Sequence, residues 1–211
     1  MSTSLGSAYL ESAIKRVAGY KLLGDYTFRQ LEEKDFYYTP VIGQNVHDAN
    51  ETHSGQPSND RPSAGTPVAS QGESNSIAVI IKHLSGNMIS RWTNFLSEDG
   101  EKPGRNRETE FTLQEHYSRE QLIQQWEKGW DCFLTTLRSL TEDDLMRTIY
   151  IRHEPLLAID AINRQLAHYP HHVGQIVYIG KMIRGKDWQS LSIPKGGSDQ
   201  FNRQMKEQHS R

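Results

Sequence analysis

Apolar side chains recur at helical spacing in four stretches of the chain. In the first, covering 4–33, Leu10, Ile14, Val17, Phe28 and Leu31 fall at steps of three to four residues or their multiples. Asn75 or Ser76 can cap a second helix that runs through IAVIIKHLSGNMISRWTNFL, with Ile77, Ile80, Ile81, Leu84, Met88 and Trp92 as its apolar stripe. It should end before the turn between Gly100 and Gly104. EKPGRNRETEF then crosses to a third helix, opened by Ser118 and Gln121 in capping-box spacing and carrying Leu122, Trp126, Trp130, Phe133 and Leu137 at core spacing. The β-branched and aromatic run RTIYIRHEP, closed by a proline, predicts an extended connection or small ribbon. A fourth helix is expected over 156–184. Four long amphipathic helices predict an all-α, four-helix-bundle fold, an architecture that builds metal sites from side chains pointing into the bundle.

Between the first two helices lies an interval, 43–73, rich in Gly, Pro, Ser, Asn and Asp and without an aromatic residue. It has too little to bury to offset its ordering entropy and is expected to be a long mobile loop, with His47 and His53 solvated within it. A chain of 211 residues with this composition is expected to form one domain, 1–211, around a single core. The 24 basic and 26 acidic residues are spread along the chain without the basic stripe that nucleic acid or an anionic membrane requires, so those partners are not expected. One cysteine, Cys132, excludes an intramolecular disulfide and a CxxC zinc site. It falls among apolar residues on the core side of the third helix. With no signal-peptide run and no span-length apolar segment, the reading is a cytoplasmic protein.

The chemistry concentrates on histidine. On an ideal helix His168 and His172 are about 40° apart around the axis and about 6 Å apart along it, so one ion can reach both. Neutral imidazole suits zinc, nickel, iron and copper. The spacing arises often by chance, and the pair alone reads first as an exposed or hydrogen-bonded couple. His171 competes at i, i+3 from His168 but points about 100° away from His172, onto a more polar arc. Pro170 cannot donate its helix hydrogen bond, so a kink or bulge is expected inside the site. A ligand from a second helix is needed, and His83, about 60° from Ile80 at the flank of the second helix's stripe, is the candidate. Spacing leaves open whether it is a ligand or a core-edge histidine hydrogen-bonded to a neighbour. Asn87, Arg164 and Gln175 lie within a turn of these histidines and could orient a ligand or substrate, or simply meet solvent. Arg91, Arg105 and Arg107 could gather an anion, but solvent-facing positions are the expectation.

KHLSGN around His83 and AHYPHHVGQIVYIGK around His168 and His172 resemble the two metal-binding signatures of the DinB/YfiT-like superfamily. The likeness extends over most of the chain outside 43–73, and RWTNFLSEDGEKPGRNRETEF and AINRQLAHYPHHVGQI look like an uncharacterised subfamily. The resemblance implies a four-helix bundle with one histidine on the second helix and an HxxxH pair on the fourth holding a divalent metal, positions matched by His83, His168 and His172. It also implies a homodimer acting on a small-molecule substrate, as a thiol transferase using a low-molecular-weight thiol or as a hydrolase. Three histidines leave a coordination position open. The alternative is a binding or interaction module with a structural or vestigial metal. The residues do not choose among zinc, nickel and iron.

Overall fold

The computed structural model describes residues 4–40, 75–112 and 116–210. The expected loop at 43–73, with His47 and His53, lies outside them. Four long helices dominate: α1 (Leu5–Phe28), α2 (Ile77–Trp92), α4 (Arg119–Ser139) and α5 (Ala158–Arg184). A four-residue helix α3 (Arg107–Glu110), an antiparallel hairpin of β1 (Thr148–Ile151) and β2 (Glu154–Leu157), and a C-terminal helix α6 (Ser198–His209) complete the described elements. The fold is all-α with one small ribbon.

The helix starts follow from their caps. Ser76 Oγ accepts from Val79 N–H, and Ser118 and Gln121 cap each other reciprocally, Ser118 N–H donating to Gln121 Oε1 at 2.7 Å and Gln121 N–H to Ser118 Oγ at 3.3 Å. Two helix ends fall short of the expected ones. α1 stops at Phe28 rather than near residue 33, because Glu32 is extended and its N–H donates to Asp35 at 2.8 Å, starting a separate tight turn over Glu33–Tyr37. α2 stops at Trp92, because Asn94 takes a left-handed backbone, φ 51°, that a helix cannot continue through. α5 passes through Pro170 as continuous helix.

Each long helix packs against two others: α2 on α4 and α5, and α1 on α5 and α4, closing a ring around the core. Trp92, Trp126, Trp130, Phe133 and Tyr169 fill that core. α2 and α4 approach so closely that a Cβ at Gly129 would fall 2.8 Å from Ser85 Cα. Their faces therefore interlock with no room for a methyl group. α6 buries none of its residues. Among the described residues no helix is long and apolar enough to cross a membrane.

Candidate metal centre

His83 lies on the second turn of α2 and, at 6% exposure, is a core residue rather than one at the core's edge. His168 and His172 project from successive turns of α5 toward it. Ring nitrogens of the three lie within 4.8 Å of one another, and the Nε2 atoms of His168 and His172 are 3.1 Å apart. Ring centroids stand 5.5 Å from His83 to His168 and 5.0 Å from His83 to His172. His171 is outside the cluster. It is exposed, with its Nε2 3.2 Å from Gln175 Nε2.

The other nitrogen of each ring is occupied. His83 Nδ1 is 3.0 Å from Glu110 Oε2, His168 Nδ1 is 3.0 Å from Gln165 Oε1, and His172 Nδ1 is 2.8 Å from Gln175 Oε1. An Nδ1–H donated to an oxygen leaves Nε2 as the bare lone pair, so the acceptors set the same tautomer in all three rings. Burial, with the neighbouring histidines and Arg164 adding to it, holds the His168 pKa down to about 3. Burial also lowers that of His172, against the hydrogen bond to Gln175.

The candidates named from sequence spacing separate here. Gln175 touches the cluster through His172. Asn87 is buried but turns to the core, where its Oδ1 accepts from Tyr169 Oη at 3.0 Å. Arg164 is exposed and has no hydrogen-bond partner among the described residues. Two arginines expected to face solvent do not. Arg91 is buried and donates to Glu101 Oε2 at 2.9 Å, and Arg105, its side chain 5% exposed, donates through Nε and Nη2 to the two oxygens of Glu110 at 2.8 and 2.9 Å. Each has a carboxylate within reach in the crossing segment, bidentate in the case of Arg105, and a guanidinium so paired can be buried. Arg107 is exposed and lies over the Phe111 ring, 5.2 Å from its centroid, while Phe111 itself stands 5.0 Å from the His83 ring.

Glu110 and Gln165 are the residues at this site that sequence spacing did not single out, and Arg105, named there as able to gather an anion, holds the Glu110 carboxylate. Gln165 had a signal, since it precedes His168 by one helical step of three just as Gln175 follows His172. Glu110 had none, because the segment that carries it is aperiodic.

Convergent ring nitrogens from two helices of an all-α ring, each ring oriented by a side-chain oxygen, define a three-histidine site able to hold a metal ion. A family described as "Protein of unknown function (DUF1572)" matches residues 50–197, and the chain belongs to that family, which is DinB-like. No curated protein and no solved structure matches it.

Proposed function

We propose that His83, His168 and His172 hold a divalent metal ion, and that the chain is a metal-dependent enzyme acting on a small molecule, of thiol-transferase or hydrolase type. The observation that carries this reading is the commitment of all three Nδ1 atoms to side-chain oxygens in a cluster whose ring nitrogens come within 4.8 Å of one another. Two imidazole lone pairs 3.1 Å apart, as between His168 and His172, repel unless a proton or a cation lies between them. Burial disfavours the proton at His168. A divalent cation would satisfy both lone pairs at once, and imidazole accepts zinc, nickel or iron.

Three protein ligands are the number found in catalytic zinc sites, where structural ones have four. A divalent ion held there supplies Lewis acidity and lowers the pKa of a water or thiol. The chain's own side chains supply the rest. Glu110, Gln165 and Gln175 hold the rings in one tautomer, Phe111 walls one side, and the exposed cations Arg107 and Arg164 can hold an anionic group of a substrate or of a low-molecular-weight thiol co-substrate. The reading takes the chain as a single-domain, cytoplasmic homodimer.

Elemental analysis of freshly purified protein tests the metal, with His168→Ala as control. Stoichiometric divalent metal in the wild type that disappears in the variant is the expected result, and stoichiometric metal retained in the variant would overturn the assignment. Catalysis is tested separately with His83→Ala in thiol-conjugation and hydrolase screens. A folded but inactive variant supports an enzyme, whereas a large loss of stability with unchanged ligand chemistry supports a binding module with a structural ion.

A further inference from the structure

The three rings are not backed alike. His168 and His172 donate to neutral amides, whereas the oxygen at His83 Nδ1 belongs to a buried carboxylate, Glu110. That carboxylate is held from three sides. Arg105 clamps both oxygens. Asn106 caps the short helix that ends on Glu110, its Oδ1 accepting from Glu108 and Thr109 N–H at 3.1 and 3.4 Å. Lys82, beside His83 on α2, donates to Thr109 and Thr112 carbonyls at 3.0 and 2.8 Å and ties the segment to that helix. Beneath it lies Gly86, where a Cβ would sit inside contact distance of Glu110 Oε1 and 3.0 Å from its Cδ. The carboxylate reaches His83 only because α2 has no side chain at this position.

We propose that Glu110, aimed by Arg105 and admitted by Gly86, is the positioning residue that sets the affinity of the site for its metal by making His83 the strongest donor of the three. A charged acceptor at Nδ1 pulls the ring proton toward itself and raises electron density at Nε2, as a neutral amide does only weakly. The bidentate arginine fixes the carboxylate so that a remaining lone pair of Oε2 faces His83. A purely structural ion pair would explain Arg105 and Glu110 but not why the pair is seated over the one helix position that lets it touch a ring of the cluster. The inference rests on the metal-site reading above.

Two variants test it on the full chain. Glu110→Gln keeps an acceptor and removes the charge, at the risk of stranding Arg105 in a buried position. Gly86→Ala keeps both charges, favours the helix, and must push the carboxylate off His83. The measurements are Zn2+ affinity by competition with a chromophoric chelator and the visible absorption of the Co2+-loaded protein. Each variant should bind Zn2+ about 10- to 100-fold more weakly than wild type, with a shifted Co2+ band. Metal-free Gly86→Ala should keep the wild-type far-UV circular dichroism and a cooperative unfolding transition, which separates positioning from loss of the fold. Wild-type Zn2+ affinity and an unmoved Co2+ band in Gly86→Ala would overturn this inference alone. A wild-type chain that takes up no Zn2+ would overturn the metal-site reading and this inference with it.

Discussion

Tyr169 Oη accepts from Trp92 Nε1 at 2.9 Å and donates to Asn87 Oδ1 at 3.0 Å, in a fully buried chain of three side chains one residue along from His168. Burial pushes its pKa up, so the hydroxyl stays neutral and keeps its proton for Asn87. Tyr169→Phe would strand two buried polar groups, an indole N–H and an amide oxygen. The expected cost is roughly 2 kcal/mol, read by urea denaturation, with Zn2+ affinity little changed because the ring that packs on His168 is kept and the hydroxyl bonds no histidine. This division of labour on one turn of α5 was half legible. Histidine at i and i+4 announces itself by spacing, and His83 by its place beside an apolar stripe. Asn87 lies one turn from His83 on the same helix, yet spacing could not say that a tyrosine on another helix would claim it. Burial of Arg91 and Arg105 was illegible for the same reason, since it depends on carboxylates brought up by the crossing chain.

Helix starts were readable wherever a side chain caps them, and the hairpin was readable from its β-branched residues. The end of α5 at Arg184 was readable, but the ends of α1 and α2 were not, because the Glu32–Asp35 turn and Asn94 act through local backbone states that leave the apolar period intact. The hairpin shows how an element far from the rings serves them. Its turn residues Arg152 and His153 both have positive φ, 56° and 64°, which neither adopts easily. Asp99 offsets the strain: Oδ1 accepts from Glu101 and Arg152 N–H at 2.7 and 2.9 Å, and Oδ2 from His153 N–H at 2.8 Å. Those bonds, the one from Glu101 foremost, hold the Asp99 pKa down to about 2 from 3.8. The unfolded chain therefore takes up this proton first as the pH falls. The stability Asp99 contributes is complete above 3.8 and is lost as the pH drops through about 2. Asp99→Asn should cost on the order of 1–2 kcal/mol at neutral pH, and the gap between variant and wild type should close below pH 3.8 in acid titrations followed by circular dichroism. Through Gly100 N–H to Tyr150 carbonyl at 2.8 Å, and Arg152 to Glu101 at 2.9 Å, the hairpin also anchors the start of the segment that delivers Arg105 and Glu110.

For the molecule as a whole, the three histidines join α2 to α5, two helices that meet over a smaller contact than α2 makes with α4. An ion that binds only the folded chain stabilises it by about 2.7 kcal/mol at a hundredfold excess over its Kd. A strong chelator should therefore lower the thermal midpoint of the loaded wild-type protein and leave that of His83→Ala where it was, a comparison made by differential scanning calorimetry. The three histidines come from positions separated in the chain by α4 and the hairpin, so bringing them together closes a long stretch of polypeptide, an entropic toll that local helix formation does not share. We expect contacts of that kind to form after the folding barrier, so that Zn2+ moves the unfolding limb of the chevron and not the folding limb. Interactions absent from the barrier slow the reverse step and leave the forward one alone. A bound ion would act as a latch: the chain would fold at its own pace with or without it, and once shut would reopen, to a protease or to heat, far more slowly.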